Sequence, residues 1–249
     1  MKVKYYGLTD IGCVRKVNED YFILHPVLNG EYILGCIADG VGSNPGGDVA
    51  SRLAAETISS YISQTTGNES LDDIMFSAVV AANNAIIDQH SNPYLSNMSC
   101  VLTAAMLNIS NGEMHISHCG DTRLYIKQGA KMYKVTNDHS IIGPLEENGK
   151  LTEKQAMRHP HRNLLTRSIG NRRLSYGSDY IQSIRLKINP PCSIYLCSDG
   201  MYDMITSSET CAILSSDMEL PEKVNTLVEA AKAAGGKDNI TAIVLEINN

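Results

Sequence analysis

Several features that define large classes of proteins are missing from this sequence. Its 249 residues include no tryptophan and only two phenylalanines, so the core must be built mainly from aliphatic side chains. No apolar run approaches the roughly 20 residues that cross a bilayer, and the segment before Asp20 lacks the apolar stretch of a signal peptide. The composition therefore predicts a cytoplasmic protein with no membrane partner, folded as one domain over residues 1–249.

An excess of positive charge is also missing. The formal net charge is −6 at pH 7, whereas a protein that neutralises a nucleic-acid backbone needs a basic surface. The charge therefore argues against a nucleic-acid partner. It is compatible with a phosphorylated ligand, because an acidic cavity loaded with divalent cations can bind phosphate.

The seven cysteines are an odd number and lie within apolar stretches, without the spacing of a disulfide framework. We interpret them as reduced, mostly buried thiols. His115, His118 and Cys119 lie at odd spacings on a predicted strand, as do Cys192 and Cys197 on another. Odd spacing sends side chains to opposite faces of a sheet, so no zinc site is predicted.

The order of the predicted elements indicates the fold class. Helical periodicity covers residues 48–62 and 71–88, and a third helix at 221–234 starts near a proline and stops at Gly235-Gly236. Asn29-Gly30 and Asn111-Gly112 are strong hairpin signals. Strands in blocks, with helices singly or in pairs, favour an α+β fold of antiparallel sheets with helices layered outside. The predicted strands are 3–8, 20–24, 31–38, 101–107, 113–119, 123–127, 181–188, 193–197 and 240–247.

Residues 140–170 differ from the rest of the chain. Short helical pieces at 140–148 and 152–158 precede a polar stretch that contains His159, His161 and Arg162. We interpret the segment as an insertion on the surface of the sandwich. Its basic spot is read first as a solvated loop, with substrate docking as the alternative.

Acidic residues stand beside glycine at the ends of predicted strands. A strand holds such a carboxylate rigidly, and the glycine allows a backbone carbonyl or a ligand to approach closely. One Asp-Gly pair alone is more often an ordinary turn, but the repetition of the pattern favours a shared site. The positions are Glu19-Asp20 before a strand, Asp39-Gly40 and Asp199-Gly200 after strands, Gly120-Asp121 between two strands, and Asp238 before the last.

Convergence of these carboxylates would require cations or protons. Two carboxylates about 4 Å apart repel by roughly 4 kcal/mol at an effective dielectric of about 20. Oxygen-only ligands favour Mg²⁺ or Mn²⁺, and two bridged ions would make hydroxide available from a shared water at neutral pH. Arg15 could clamp phosphate oxygens in a bidentate manner, although alone it would be read as a surface arginine.

A series of short motifs runs in order along nearly the whole chain. They are Thr9-Asp10-Ile11-Gly12 with Arg15, Asn18-Glu19-Asp20, Ala38-Asp39-Gly40-Val41-Gly42, Gly46-Gly47, Ala50-Ser51, Cys119-Gly120-Asp121-Thr122-Arg123-Leu124-Tyr125, Asp138-His139-Ser140, Arg162-Asn163, Leu165-Thr166-Arg167-Ser168-Ile169-Gly170, Cys197-Ser198-Asp199-Gly200-Met201 and Lys237-Asp238-Asn239-Ile240-Thr241. Each motif alone is weak, but the ordered series resembles the metal-dependent protein phosphatase family, also called type 2C serine/threonine phosphatases, and its compact bacterial members in particular.

The resemblance implies a four-layer α-β-β-α sandwich of two antiparallel sheets, with two Mn²⁺ or Mg²⁺ ions between the sheets at one edge. It also implies a weaker third ion and a flap at residues 140–170 that contributes to substrate choice. By position, Asp39 would bridge the two ions and Gly40 would offer its carbonyl. Glu19 would serve one ion, and Asp199 and Asp238 would serve the other. Asp121 with Asp199 would hold the third ion, Asp20 would orient metal-bound water, and Arg15 would bind the substrate phosphate.

The activity implied by the resemblance is the hydrolysis of phosphoserine and phosphothreonine in proteins. A metal-bridged hydroxide would attack phosphorus directly, while the ions and Arg15 neutralise the developing charge. The family also implies a signalling role, an opposing serine/threonine kinase and a monomeric enzyme.

Three positions depart from the common pattern of the family, and the first is Tyr21, which stands where a small residue is commoner. Val41 stands where many eukaryotic members have a histidine that is a candidate general acid. Metal-bound water or His139 could replace it, and we favour water and interpret His139 as structural. Ser43, followed by Asn44-Pro45, replaces the usual second glycine and predicts a stiffer loop at the rim of the site.

Two other functions were weighed. A phosphatase-like sensor that binds phosphoproteins without turnover is disfavoured, because no metal-binding acid has been lost. A metal-dependent phosphodiesterase or nuclease could also use clustered acids, but the negative net charge and the lack of a basic stripe count against it.

Overall fold

The computed structural model describes residues 1–42, 45–65 and 69–249. Within these residues the strands are β1 (Lys2–Asp10), β2 (Asp20–Val27), β3 (Tyr32–Gly40), β4 (Cys100–Asn108), β5 (Glu113–Cys119), β6 (Arg123–Gln128), β7 (Lys131–Lys134), β8 (Gln182–Lys187), β9 (Cys192–Cys197) and β10 (Ile240–Asn248). The helices are α1 (Gly47–Gln64), α2 (Leu71–Asp88), α3 (Gly143–Glu147), α4 (Glu153–Ala156), α5 (Asp199–Tyr202), α6 (Ser207–Leu214) and α7 (Leu220–Ala233).

The strands form two five-stranded antiparallel sheets. One has the order β1-β10-β9-β6-β7 and the other the order β2-β3-β4-β5-β8. The central strands read as nearly continuous apolar runs because both of their faces are covered. In β3, for example, Ile33 and Ile37 pack between the sheets, whereas Leu34 and Cys36 pack beneath the helices.

Helices cover the outer face of each sheet. Helices α1 and α2 pack on the sheet that contains β3, and α7 packs on the sheet that contains β10. Ala54 of α1 and Ala78 and Ala82 of α2 are fully buried, and these small side chains let the two helices approach the sheet closely. The predicted α+β fold of two antiparallel sheets flanked by helices is therefore confirmed.

Local sequence explains where several elements begin. Ser70 precedes α2, and its hydroxyl oxygen accepts a hydrogen bond from the backbone N–H of Asp73 at 3.2 Å. Pro221 lies in the first turn of α7, where the missing N–H costs nothing. The hairpins predicted at Asn29-Gly30 and Asn111-Gly112 are present between β2 and β3 and between β4 and β5.

The sequence did not predict β7, α5 or α6. In residues 140–170 the two predicted helical pieces are shorter than expected, at α3 and α4. The loop stiffness predicted at Ser43-Asn44 lies outside the described residues. None of the described helices combines the length and apolar character that crossing a bilayer requires.

All seven cysteines are free thiols in the described structure, and Cys36, Cys100, Cys119, Cys197 and Cys211 are buried. Burial raises the pKa of Cys36 to about 12 and that of Cys197 to about 12. The interpretation of the cysteines as reduced and mostly buried agrees with this arrangement.

Candidate metal centre

The end of one sheet carries two of the predicted acids side by side. Asp39 at the end of β3 is the direct cross-strand partner of Asp20 at the start of β2. The backbone N–H of Gly40 donates to the carbonyl of Glu19 at 3.0 Å, which fixes Glu19 beside the same strand end. The register of one hairpin therefore places these acids together.

The other sheet brings two more acids to the same edge. Asp199 follows β9 and starts α5, and Asp238 lies two residues before β10, the neighbour of β9. The N–H of Ser198 donates to the carbonyl of Thr241 at 3.2 Å, so the two chain segments run together up to the acids. Asp199 and Asp238 are distant in the sequence, and the pairing of β9 with β10 brings them together.

Asp20 joins the two sheets. Its Oδ2 accepts hydrogen bonds from the hydroxyls of Ser198 and Thr241, each at 2.6 Å. The hydroxyl of Thr9 lies 2.8 Å from that of Thr241, and Asn18 donates to Thr9 at 2.9 Å. A buried carboxylate from one sheet is therefore held by hydroxyls of the other, directly beneath the strand ends.

These elements enclose a cleft of about 320 Å³. Six of the predicted site residues line it, namely Arg15, Asp39, Gly40, Asp121, Asp199 and Asp238. Glu19 lies at its edge, with Oε2 3.7 Å from the Arg15 guanidinium, and Asp20 is buried at its base. The structure thus brings together every residue that the sequence predicted for the site.

Mutual repulsion between the carboxylates shows how closely they converge. Burial, followed by the negative charges of Asp20, Asp199, Asp121 and Asp238, raises the pKa of Asp39 well above its usual range. Burial and then Asp121 and Asp238 do the same to the pKa of Asp199. A cluster that resists ionisation in this way is stabilised by bound cations.

The pKa values of the two flanking acids, Asp20 and Asp121, are raised less. Burial raises the pKa of Asp20 to about 6, opposed by the hydrogen bonds from Ser198 and Thr241. Burial, then the charge of Asp138, raises the pKa of Asp121 to about 7, opposed by Arg123. Positive groups and hydroxyl donors thus offset part of the cost of burying these carboxylates.

Arg15 stands at the lip of the cleft. Its guanidinium donates to Oδ2 of Asp238 at 2.7 Å, and its side chain is 36% exposed. This hydrogen bond to Asp238 is the main cause of the raised pKa of Arg15. The side chain is therefore positioned between the acids and solvent, where an incoming anion would meet it.

The glycines after Asp39 and Asp199 are required by backbone packing. A Cβ on Gly40 would lie 2.4 Å from the carbonyl carbon of Gly47, and one on Gly200 would lie 2.0 Å from the carbonyl oxygen of Asn239. The close approach that the Asp-Gly pattern predicted is therefore made by neighbouring backbone. This packing fixes the position of each acid relative to the neighbouring segment.

The donor set fits hard divalent cations. The cleft offers carboxylates and the Gly40 carbonyl, and the described residues that line it include no cysteine or histidine. Within residues 1–42, 45–65 and 69–249, no three His, Cys, Asp or Glu side chains form a cage that could hold a metal ion by themselves. Mg²⁺ needs no such cage, because it binds through one or two carboxylates and keeps several waters.

Asn239 is a site residue whose role the sequence did not reveal. Its Oδ1 accepts from the N–H of Glu19 at 2.9 Å, and its Nδ2 donates to the carbonyls of Ile11 and Val17, each at 3.0 Å. It therefore fixes the loop that carries Arg15. The signal was present only as the third letter of Lys237-Asp238-Asn239.

His139 is engaged with the backbone. The Nδ1 of its ring accepts from the backbone N–H of Gly120 at 3.0 Å, and the backbone N–H of His139 donates to the carbonyl of Gly120 at 2.7 Å. Burial, followed by His118, lowers the pKa of His139 to about 3, so the ring stays neutral. This geometry supports the structural interpretation of His139, as a residue that shapes the turn before Asp121.

The flap, defined as residues 140–170, is tied to the sandwich by ion pairs. The Arg162 Nε donates to Oδ2 of Asp203 at 2.5 Å, and the Arg123 guanidinium contacts Asp138 at 2.6 Å and Glu146 at 2.7 Å. Asn163 of the flap also lines the cleft. The predicted surface insertion therefore forms one wall of the site.

The two histidines of the predicted strand 113–119 make other contacts. The Nδ1 of His115 lies 2.6 Å from Oδ1 of Asp72. His118 Nε2 donates to the carbonyl of Asn137 at 3.0 Å, and its Nδ1 accepts from Thr103 at 2.8 Å. Each ring is thus committed to a structural partner.

Comparisons with known proteins agree with this geometry. The family model for protein phosphatase 2C matches residues 14–240. The serine/threonine phosphatase stp of Listeria innocua is 30% identical over 244 residues, covering 96% of this chain and 94% of the relative. Protein phosphatase PhpP of Streptococcus pneumoniae is 31% identical over 247 residues, covering 97% of this chain and 96% of the relative.

A solved structure shares the fold along its whole length. The crystal structure of the catalytic domain of the serine/threonine protein phosphatase PstP, in complex with two manganese ions, has a TM-score of 0.83 and 25% sequence identity. The match covers 99% of each chain.

Proposed function

The chain belongs to the protein phosphatase 2C family and is a metal-dependent protein-serine/threonine phosphatase, and we propose that the cleft at the joint edge of its two sheets is the catalytic centre. The observation that carries the proposal is the convergence of Asp39, Asp199 and Asp238 in one cleft with Arg15 at its lip. The acids and the arginine line the same cleft, as hydrolysis of a phosphate monoester requires.

We propose that the acids hold two Mn²⁺ or Mg²⁺ ions and, more weakly, a third. Asp39 would bridge the two ions, the Gly40 carbonyl and Glu19 would serve one of them, and Asp199 and Asp238 the other. Asp121, with Asp199, would hold the third. The manganese ions of the PstP structure support this assignment, as does the lack of sulfur and imidazole among the described residues that line the cleft. When bound, such ions activate water and neutralise phosphoryl charge.

Arg15 is proposed to bind the phosphate group of the substrate. A planar guanidinium can donate two parallel hydrogen bonds to phosphate oxygens. Its position at the lip, partly exposed and bonded to Asp238, allows a phosphate to reach it without rearrangement of the cleft. The negative charge that builds up on phosphorus would then meet a fixed positive charge.

Asp20 is proposed to orient water within the cleft. The hydroxyls of Ser198 and Thr241 both donate to its Oδ2 and hold the carboxylate beside Asp39, its partner on the neighbouring strand. A rigid acceptor in that place can hold a water proton in one direction. The role is one of positioning.

The whole chain is proposed to act as one monomeric catalytic unit in the cytoplasm, opposed by a serine/threonine kinase. Its substrates are phosphoproteins. The near-complete coverage of PhpP and stp by this chain supports a single catalytic unit.

Turnover with and without metal tests the proposal. Purified protein with Mn²⁺ should release phosphate from a phosphothreonine peptide, and excess chelator should abolish the release. Equal activity in excess chelator would contradict the metal-dependent mechanism. A protein that binds the peptide without releasing phosphate would instead be a sensor.

A further inference from the structure

A second groove opens next to the catalytic cleft. It has a volume of about 590 Å³ and runs between flap helix α4, the segment from Asp203 to α6, and the end of α7. Pockets of this size hold several ligand groups. The charged residues along it are four basic ones, Lys154, Arg158, Arg162 and Lys237, and two acidic ones, Asp203 and Glu209.

The two acidic residues are already satisfied within the protein. Asp203 accepts from Arg162 at 2.5 Å, which also commits that arginine. Glu209 accepts from the N–H and the hydroxyl of Thr206, at 2.8 and 2.6 Å, as part of the cap of α6. These hydrogen bonds, and after them the charge of Lys154, lower the pKa of Glu209.

The other three basic residues are available to a ligand. Lys154, Arg158 and Lys237 are exposed. In the described part of the chain none of them forms an ion pair, unlike Lys134, Lys223 and Lys232. In a protein of net charge −6, unpaired cations gathered along one groove create a local site for anions.

The groove and the cleft share both walls. Arg162 lines the groove and the adjacent Asn163 lines the cleft; on the opposite side, Lys237 lines the groove and Asp238 the cleft. A peptide whose phosphorylated residue enters the cleft can therefore continue between the same two walls. Its neighbouring side chains would then meet Lys154, Arg158 and Lys237.

We infer that this groove binds anionic side chains that flank the phosphorylated residue of the substrate, and so selects phosphoproteins with acidic or multiply phosphorylated segments. The inference rests on the proposed catalytic role of the adjacent cleft. Carboxylates and a second phosphate share the chemistry that these cations recognise. The basic spot expected in the flap is thus assigned to Lys154 on α4 and to Arg158, two residues beyond the end of that helix, in place of the two flap histidines.

Peptide selectivity tests the inference. Three phosphothreonine peptides of equal length would be compared, with neutral flanks, with glutamates on either side, or with a second phosphoserine nearby. An exposed ion pair changes an equilibrium constant by up to about fivefold, so two or three contacts predict a preference of about tenfold in kcat/KM over the neutral peptide. The preference should fall as salt is added.

A charge reversal locates the effect. In Lys154→Glu/Arg158→Glu the preference for anionic flanks should fall to about one or below, because each contact becomes repulsive. The control Lys2→Glu/Lys131→Glu makes the same change of net charge at exposed lysines outside the groove and should keep the wild-type preference. Whether glutamate or phosphoserine gives the larger effect identifies the source of the anion.

A binding measurement keeps this test separate from catalysis. A labelled glutamate-flanked peptide without phosphate is titrated in excess chelator, and the wild type should bind it about tenfold more tightly than the groove variant. No turnover of any peptide would overturn the proposed function alone. Turnover without any flank preference, or equal loss in the groove variant and the control, would overturn the inference about the groove.

Discussion

At the scale of single residues, the proposed catalytic centre depends most on Asp39. Burial, and after it the charges of four neighbouring aspartates, raise the pKa of Asp39 well above its usual range. Its cross-strand pairing with Asp20 fixes its position, and the packing of Gly40 on Gly47 prevents it from moving away. A residue so placed is costly to the metal-free protein and useful only when cations are bound.

Asp39→Asn should lower kcat by about a hundredfold or more, in the range seen when one electrostatic group of an active site is lost. The protein should stay folded, because the amide removes repulsion and keeps the shape of the side chain. Phosphate release in Mn²⁺ and a circular dichroism spectrum measure the two effects. Asp217→Asn, at an exposed acid outside the cleft, is the matched control; wild-type turnover in Asp39→Asn would contradict the account.

A second residue links the fold to pH. His118 is fully buried on β5, and burial lowers its pKa from 6.5 to about 4. The unfolded chain then binds a proton that the native protein does not, so stability is lost as pH falls from about 6.5 towards 4, at up to about 1.4 kcal/mol per pH unit.

Urea unfolding between pH 7 and pH 4.5 checks this dependence. His118→Gln should be less stable at pH 7, because its hydrogen bonds to Thr103 and Asn137 are disturbed, but its stability should fall less steeply with acid. Parallel stability curves for the two proteins would show that His118 is not the group that titrates.

At the scale of elements, the sequence predicted the strands well and the connections poorly. The apolar run of β3 leads directly into Asp39-Gly40, and that of β9 leads through Ser198 into Asp199-Gly200; this pattern suffices to place both the strand and its acid. β7 has only four residues, with a lysine at each end, and α5 has four residues, too few for any periodicity. Contacts such as Arg162 with Asp203 span 41 residues and leave no local signal.

The flap is held by a network that depends on one buried arginine. Arg123 on β6 is 5% exposed, contacts Asp138 and Glu146, and stacks 3.8 Å above the ring of Tyr202. Glu146 belongs to α3, so this network fastens the first flap helix to the sandwich. Asp138 retains Arg123 when Glu146 is removed.

Glu146→Ala should therefore loosen the flap and leave the sandwich intact. We expect faster hydrogen exchange in residues 143–157, with a loss of about 1–3 kcal/mol of local stability, as for a charged hydrogen bond. Exchange in β3 and β10 should be unchanged. Uniformly faster exchange throughout the chain would show instead that the arginine network supports the whole fold.

At the scale of the whole molecule, each sheet has a core beneath its helices, and a third core lies between the two sheets. Ile37, Leu196 and Ile243 pack the sheets together, and Asp20 bonds across them at the cleft. The family, and the acids that meet in the cleft, could be predicted from the sequence, because both reside in ordered local motifs. The groove beside the flap could not, because its walls come from three distant segments.

Metal binding should stabilise the whole molecule. Ions that bind the native cleft and not the unfolded chain add about 2.7 kcal/mol at a concentration of 100 times Kd. The midpoint of thermal unfolding should therefore rise with Mn²⁺ in the wild type, and much less in Asp39→Asn. Equal shifts in both proteins would place the bound ions elsewhere.

The most direct test of the account is a crystal grown with Mn²⁺ and measured at the manganese absorption edge. The account predicts at least two anomalous peaks in the cleft, one of them shared by Asp39 and the Gly40 carbonyl and another beside Asp199 and Asp238. Fully active protein whose crystals show no anomalous peak among these side chains would contradict it.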